Sequence, residues 1–396
     1  MNRDFIVFID FDGTITARDV GYEMFKKFTD GRTQPVVDRY RRGEVNSYTC
    51  LKTECEIWNQ SPPAEKEVLE FLENQSITAG FSDFTDILKN DLVKTYVISE
   101  GFDFYIDAIL NSNGFSRLER ITNKAVYENG RMYPEFPFLG RGCGECSSCK
   151  GFHIKRLTDP RTSAVFIGDG HSDFHGAESA DIVFAKSFLK DALEKIGRDY
   201  FEYGDFYNII DIWKRLFSRK VFAFSKRLFL CRVADERRRN FERLWETGEV
   251  MKNVGYPNGL RWDRKRYDRF WDSLDRKNFI LLAIEDENGS FLGEAKLSFP
   301  DDENTCDHDV KLLPEFQGKG YGREAWRLLL GLTSRRWPES TLSVSPFVDN
   351  AIAIGLYKSL GFEFDGEQRE WIPSSESPHA VPVRYRRMIK HLRGKE

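Results

Sequence analysis

Two aspartates one residue apart, Asp10 and Asp12, end the apolar run Phe5–Ile9 and are followed at once by Gly13 and Thr14. Strand neighbours at i and i+2 face the same way, so both carboxylates belong to one crevice. A pair so placed can divide phosphomonoester hydrolysis between them. Asp10 attacks the phosphoryl group, while Asp12 protonates the leaving oxygen and later takes a proton from the hydrolytic water. The negative charge gathered there calls for a hard cation. Mg²⁺ held by Asp10, Asp169 and the backbone carbonyl of Asp12 answers it, with Asp173 orienting the coordination shell. Ser99 and the Gly101 backbone offer neutral donors to the phosphoryl oxygens, and Lys150 offers a cation.

A second set of residues suits a different anion. After a strand that carries Leu312 come Gln317, Gly318, Lys319, Gly320, Tyr321 and Gly322, whose alternating glycines present bare backbone N–H groups at a helix start. Such a turn binds a pyrophosphate closely, helped by the helix dipole. Further on, Asn350 caps a short helix that Gly361 stops, and Tyr357 lies two turns from Asn350 on one face, with its phenol able to reach back toward a cofactor cleft. The apolar face of that helix is expected at Ile352, Leu356 and Leu360. A third group, Cys143, Cys146, Cys149 and His153, has a C-x₂-C-x₂-C-x₃-H spacing that can wrap a Zn²⁺; a reduced loop without metal and a redox or iron–sulfur role are the alternatives.

The elements that must position these groups are legible as patterns. Phe5–Ile9, 96–98 and 164–167 are apolar on both faces, as buried parallel strands are. Each ends in polar, glycine-bearing sequence, and in open α/β sheets such strand ends meet at the ligand crevice. The stretch from 20 to about 88 has helical periodicity and is too long for a simple crossover, which predicts a cap. Segments 117–128 and 131–136, split by Asn129-Gly130, predict a hairpin. Later come strands at 228–233, 279–284, 291–298, 309–313, 341–344 and 383–389, with helices over 235–274, from Gly320 and over 350–360.

At 396 residues the chain exceeds what one core usually supports, so two domains are expected: 1–213 with its cap, a basic and aromatic junction over 214–227, and 228–396. A formal net charge of -4 gives no case for a nucleic-acid or membrane partner and suits small polar substrates. The first apolar run is far shorter than a signal-peptide core or a membrane span, and seven cysteines, an odd number, do not make an extracellular disulfide framework; both predict a cytoplasmic address.

Asp10 to Thr16, Ser99 to Ile106, Cys149-Lys150 and Gly168 to Asp173 resemble the four motifs of haloacid dehalogenase (HAD) phosphatases. Within them they are most similar to the phosphoserine phosphatase branch, which includes phosphatases of 2-hydroxy-3-keto-5-methylthiopentenyl-1-phosphate. The resemblance covers 1–213. It implies an α/β Rossmann-like core, a helical cap inserted after the first motif, and Mg²⁺. On that basis Asp10 is the nucleophile, Asp12 the acid/base, Ser99 and Lys150 phosphate ligands, and Asp169 and Asp173 the metal-side acids. Glu100 departs from the pattern, standing where several relatives have glycine.

Over 228–390, Gln317 to Gly322 and the helix of Asn350 to Phe362 resemble the acyl-CoA site of GNAT N-acetyltransferases. That family implies an α+β domain with a mixed central sheet, a pyrophosphate cradle at Gln317 to Gly322, and Tyr357 as the acid that protonates the departing CoA thiolate. Glu294, Asp307 and Asp309 are candidates for the base that deprotonates the acceptor amine, and 251–263 for the acceptor pocket. The expected protein is a bifunctional enzyme, hydrolysing a small phosphomonoester and N-acetylating an amine from acetyl-CoA. The alternatives are a protein-directed acetyltransferase or a non-catalytic acyl-CoA sensor in the second half.

Overall fold

The computed structural model describes residues 4–371 and 383–392. Two compact units divide the chain, Met1–Ser218 and Arg219–Glu396.

The first unit is built on a seven-stranded sheet. Its strands are β1 (Phe5–Ile9), β2 (Lys94–Phe102), β3 (Glu119–Glu128), β4 (Arg131–Glu135), β5 (Ser163–Gly168), β6 (Ile182–Ala185) and β7 (Phe201–Glu202), in the order β4-β3-β2-β1-β5-β6-β7. All neighbours are parallel except the β3–β4 hairpin. Val7, Phe8 and Ile9 of β1 and Val165, Phe166 and Ile167 of β5 are fully buried, as a sheet covered on both faces requires. Each such side chain stabilises the fold by roughly 1.5–3 kcal/mol, so a charge at Val7 would break the centre of the sheet. Chain order reverses between β1 and β5, the switch point at which doubly wound sheets open a crevice. Asp10 follows β1 and Asp169 follows β5, which puts them at that point.

Two elements of this unit differ from the sequence expectation. Strand β2 runs on through Ser99, Glu100 and Gly101 to Phe102, with its register to β3 broken between Ile98 and Phe102. The helix Phe81–Asn90, expected within the cap, belongs to the core: Phe81 and Phe84 pack on Phe206, and Phe84 on Trp213. The cap is formed by helices Val20–Phe28, Gln34–Arg41, Ser47–Trp58 and Glu65–Glu73. The hairpin braces it, with Trp58 Nε1 donating to Gly130 O at 2.8 Å and Cys55 Sγ against Met132 Sδ at 3.5 Å. Asn129 and Gly130, at φ of 51° and 74°, make the tight turn that their dipeptide predicts.

The second unit has two sheets. Strands β8 (Val221–Phe224), β9 (Phe229–Arg232), β10 (Phe279–Glu285), β11 (Phe291–Ser298), β12 (Thr305–Asp307), β13 (Asp309–Leu312), β14 (Thr341–Val344), β15 (Glu363–Trp371) and β16 (Val383–His391) form the orders β13-β11-β10-β9-β8 and β12-β14-β16-β15. The first sheet is antiparallel and the second is mixed, β12 pairing parallel with β14. Residues 214–227, expected as a junction, contain the division between the two units after Ser218 and are structured on both sides of it. The helix Phe206–Ser218 takes up the first of them, and β8, apolar and wholly buried, forms the edge of the second unit's sheet. His308 joins β12 to β13 across the two sheets. It is buried, accepts from Ser298 N at 3.1 Å through Nδ1 and meets Thr333 Oγ1 at 2.6 Å, and burial pushes its pKa down to about 3. Among the described residues no helix is long and apolar enough to cross a membrane.

Candidate active sites

In the first unit the switch point and the cap enclose a cavity of about 450 Å³, lined by Asp10, Asp12, Ser99, Glu100, Gly101 and Asp169 from the strand ends. The cap adds Tyr22, Val37, Arg41, Leu51 and Glu54. One carboxylate oxygen each of Asp10, Asp169 and Asp173 lies within 4.8 Å of the others. Lys150 enters this cluster at the start of the helix Lys150–Leu157. Its ammonium lies 2.5 Å from Asp10 Oδ1, 2.5 Å from Asp173 Oδ1 and 3.0 Å from Ser172 Oγ. The two neighbouring carboxylates raise the Lys150 pKa well above the ordinary value, overcoming burial, which acts the other way. Asp10, desolvated and beside Asp173, is pushed up.

Asp173 is the most committed of the three acids. Its Oδ2 accepts from the backbone N–H groups of Asp169 and Gly170, both at 2.8 Å, which folds the loop after β5. Asp169 is fixed by Thr14 Oγ1 at 2.8 Å, and burial raises its pKa to about 6. Gly13 makes room for it. At φ +77° its backbone passes so close that a Cβ would sit 2.6 Å from Asp169 Oδ2.

Asp12 is held apart from this cluster. Tyr105 donates its hydroxyl to Asp12 Oδ2 at 2.7 Å, and Gly21 N–H of the cap donates to Oδ1 at 3.0 Å. Burial, and then the Asp19 charge, push the Asp12 carboxyl up to about 7. Ser99 and Gly101, expected as joint phosphate donors, bond to each other, Gly101 N–H donating to Ser99 Oγ at 2.9 Å. Glu100, the departure from the motif, is buried at the cavity wall. Its Oε2 accepts from Ser147 Oγ at 2.9 Å, while Oε1 has no hydrogen-bond partner among the described residues. Sequence reasoning missed Tyr105, though its place six residues after Ser99 on the following helix gave a signal. It also missed Tyr203, whose hydroxyl reaches Thr14 Oγ1 and Gly168 O at 3.3 Å.

The cysteine loop also differs from expectation. Cys143, Cys146 and Cys149 do converge, but with His175 in place of His153. The His153 ring is taken up elsewhere: Nε2 meets Ser148 Oγ at 2.9 Å, Nδ1 accepts from Arg156 Nε at 3.1 Å, and Phe138 packs on the ring at 4.5 Å.

In the second unit a cleft of about 500 Å³ opens beside β13, between the helices Tyr321–Arg336 and Ala351–Ser359. Leu312, Gln317, Gly318, Gly320, Gly322, Asn350 and Tyr357 line it; Lys319 and Tyr321 do not. Those two engage Arg227, which bonds to Lys319 O and stacks over the Tyr321 ring at 4.8 Å. Gln317 Nε2 donates to Leu312 O at 3.0 Å, closing the loop. Asn350 is a helix cap, its Oδ1 accepting from Ala353 N–H at 3.1 Å. Ile352, expected on the buried face of that helix, is 89% exposed at the cleft. The Tyr357 ring is wedged against Trp326 and Phe362 at 5.2 and 5.7 Å, and burial raises its phenol pKa.

A smaller pocket of about 200 Å³ shares Asp309 and Lys311 with this cleft, and its other walls include Trp245, Met251, Leu260, Trp262, Phe270, Glu294 and Lys296. Lys311, which sequence reasoning overlooked, lies between the acids. It pairs with Glu294 Oε1 at 2.7 Å and with Asp309, whose carboxyl it holds below the ordinary range against the effect of burial. Glu294 Oε2 takes Trp245 Nε1–H at 2.6 Å. Asp307 lines neither the pocket nor the cleft and pairs at 3.1 Å with Lys296, which lines the pocket.

Comparison with known proteins follows this division. Residues 7–178 match the haloacid dehalogenase-like hydrolase family and residues 238–362 the acetyltransferase (GNAT) family. A 2-hydroxy-3-keto-5-methylthiopentenyl-1-phosphate phosphatase of Bacillus velezensis is 27% identical over 214 residues, 53% of this chain and 89% of that protein. A phospho-aspartyl intermediate analogue of phosphoserine phosphatase aligns with a TM-score of 0.43 at 17% identity, over 53% of this chain and 99% of that one. Spermidine N-acetyltransferase from Vibrio cholerae, in complex with CoA and spermine, aligns at 0.37 and 16%, over 42% of this chain and 97% of that one.

Proposed function

We propose that this chain, which joins a haloacid dehalogenase-like phosphatase to a GNAT acetyltransferase, hydrolyses a small organic phosphomonoester through an aspartyl-phosphate on Asp10 and transfers acetyl from acetyl-CoA to an amine. The observation that carries the first activity is the division of labour among the acids. Asp10, Asp169 and Asp173 gather around Lys150, while Asp12 is turned aside onto Tyr105 and Gly21.

Asp10, Asp169 and the carbonyl of Asp12 would hold Mg²⁺, and the all-oxygen donor set fits that ion. When bound, it offsets the charge of the phosphoryl oxygens and of the carboxylates around them. Asp10 Oδ attacks phosphorus as the ester P–O bond breaks, and Asp12 gives its proton to the leaving oxygen. Asp12 then takes a proton from water as that water cleaves the acyl phosphate, restoring Asp10 and releasing phosphate. Tyr105 and Gly21 keep Asp12 aimed during both steps. Lys150, Ser99 and the Gly101 amide receive the phosphoryl oxygens in this reading, exchanging their present contacts for the ester.

The cap supports a small substrate. A cavity of about 450 Å³ closed by Val37, Leu51 and Phe25, with Glu54 and Arg41 among them, takes a small metabolite with an apolar portion and a few polar groups. The name of the Bacillus velezensis relative points to methylthio-keto-pentenyl phosphates as first compounds to try.

In the second unit, Gln317 to Gly322 bind the pyrophosphate of acetyl-CoA at the helix start, Gly318 and Gly320 taking the positive φ values of 72° and 85° that the turn needs. The aromatic walls of the smaller pocket attract an ammonium group, and Glu294 and Asp309 orient it. Asp309 is a weak base because Lys311 holds it ionised, so the amine loses its proton to water. The amine nitrogen then attacks the acetyl carbon, the C–S bond breaks, Tyr357 protonates the thiolate, and the proton that the nitrogen sheds to solvent as the amide forms is matched by one that solvent returns to Tyr357.

A phosphate-release screen with Mg²⁺ and a thiol-release screen with acetyl-CoA over an amine panel test both halves. The Asp10→Asn and Tyr357→Phe proteins serve as controls. Phosphate release that survives Asp10→Asn, or acetyl transfer that no amine elicits, would overturn the corresponding half.

A further inference from the structure

Outside the two proposed active sites, the described residues bring four soft donors to one point. The sulfurs of Cys143, Cys146 and Cys149 and a ring nitrogen of His175 each lie within 4.8 Å of the others. We propose that these four residues form a structural zinc site that ties the loop before Lys150 to the helix that begins after Asp173.

Three thiolates and one imidazole are a closed tetrahedral donor set for Zn²⁺, with no position left for water. The ligands come from two segments. The cysteines precede the helix Lys150–Leu157, and His175 is the second residue of the helix Phe174–Ser179. The loop is shaped for sulfur. Glu145 and Cys146 both point backbone N–H groups at Cys143 Sγ, at 3.4 Å, which fixes the place of that sulfur in the loop. Gly142 has φ +78°, and a Cβ there would meet Cys149 Sγ at 3.0 Å, so the backbone passes close by that sulfur. Cys146 Sγ lies 3.4 Å from His175 Nδ1, which makes Nδ1 the ligating nitrogen. All seven cysteines are free thiols. On binding, the three S–H groups release their protons to solvent, three S–Zn bonds and one N–Zn bond form, and no atom changes oxidation state.

The site adjoins the catalytic cluster along the chain. Cys149 immediately precedes Lys150, and His175 lies two residues after Asp173, so the metal would tie together the same two segments that the 2.5 Å Lys150–Asp173 ion pair joins. Zinc would add a second tie between segments that this ion pair already joins.

The test uses the full chain purified under reducing conditions without chelator, with no substrate or added Mg²⁺, so its outcome is independent of the phosphatase assignment. Elemental analysis is expected to find about one zinc per chain. X-ray absorption at the zinc edge should show three sulfurs near about 2.3 Å and one nitrogen near about 2.0–2.1 Å. His175→Ala should lose the zinc or exchange nitrogen for water oxygen in the spectrum, while His153→Ala should leave both stoichiometry and spectrum unchanged. Three results would overturn the proposal: protein that contains no zinc and takes up none on reconstitution, an iron–sulfur content in its place, or loss of the nitrogen in His153→Ala but not in His175→Ala. Should His175→Ala fail to fold, the wild-type spectrum alone decides.

Discussion

Lys150 and Asp173 form a 2.5 Å ion pair in which neither side chain is more than 1% exposed. The same ammonium reaches Asp10, so one cation serves two buried carboxylates. Breaking such a pair from one side leaves an uncompensated charge, a loss of about 3–5 kcal/mol. Lys150→Met should therefore lower the melting temperature of the first unit by on the order of 10 °C as well as removing phosphatase turnover. Lys150→Arg should not rescue it, because a planar fork cannot replace a point charge held between two acids. Differential scanning calorimetry of the three proteins checks this, and a wild-type melting temperature for Lys150→Met would refute it.

The Asp12 carboxylate is turned away from Asp10, Asp169 and Asp173 by its bonds to Tyr105 and Gly21. Asp12→Asn should slow hydrolysis of an alkyl phosphate by about 10²–10⁴-fold. With p-nitrophenyl phosphate, whose leaving group needs no proton, the same protein should still give an initial burst of nitrophenolate before a slow steady state. Stopped-flow absorbance reads the burst. Its absence from an otherwise folded Asp12→Asn protein would argue against the acid/base role.

Much of this arrangement is legible along the chain because each acid follows directly on a buried strand whose pattern is plain. Asp10 and Asp169 lie at the ends of β1 and β5, and chain reversal at the switch point brings them together. What the sequence hid depended on which face met which partner. Periodicity shows that Phe81–Asn90 is amphipathic but not that its apolar face meets Phe206 and Trp213 rather than the cap. Val221–Phe224 is a strand of four residues flanked by Arg219, Lys220, Lys226 and Arg227, and the charges outweigh it in any composition window. His175 lies 29 residues from Cys146, beyond any local spacing rule. Yet Cys149 adjoins Lys150 and His175 nearly adjoins Asp173, so expecting Lys150 to meet Asp173 would have brought their neighbours together too. Lys311 shares a strand face with Asp309, an i, i+2 relation that signalled their pairing.

Glu54 gives a pH dependence. It is 4% exposed in the cap helix Ser47–Trp58, and burial, then the charge of Asp19, push its carboxyl up to about 8. A carboxyl that is harder to ionise when folded contributes stability that is full below its unfolded pKa, about 4.3, and is lost as pH rises through the folded value. The first unit should thus melt at a lower temperature at pH 8.5 than at pH 6, and Glu54→Gln should narrow that gap. Melting curves at both pH values test it; an unchanged gap would assign the dependence to other groups.

Tyr357 packs on Trp326 and Phe362 through its ring, so removing only the hydroxyl leaves the helix in place. Tyr357→Phe should lower kcat for acetyl transfer by about 10²–10⁴-fold with little change in KM for acetyl-CoA, the pattern of an interaction made only in the transition state. Steady-state kinetics with any accepted amine would show it. A raised KM at unchanged kcat would make Tyr357 a binding residue instead.

The most direct test of the account is to catch the phosphoryl group on the chain. Asp12→Asn protein is mixed with Mg²⁺ and p-nitrophenyl phosphate, quenched in acid within the burst, digested and analysed by mass spectrometry. One phosphoryl group on Asp10 is predicted, absent when Asp10 is also changed to Asn. A phosphoryl group found on another residue, or catalytic phosphate release that persists without Asp10, would contradict the central claim.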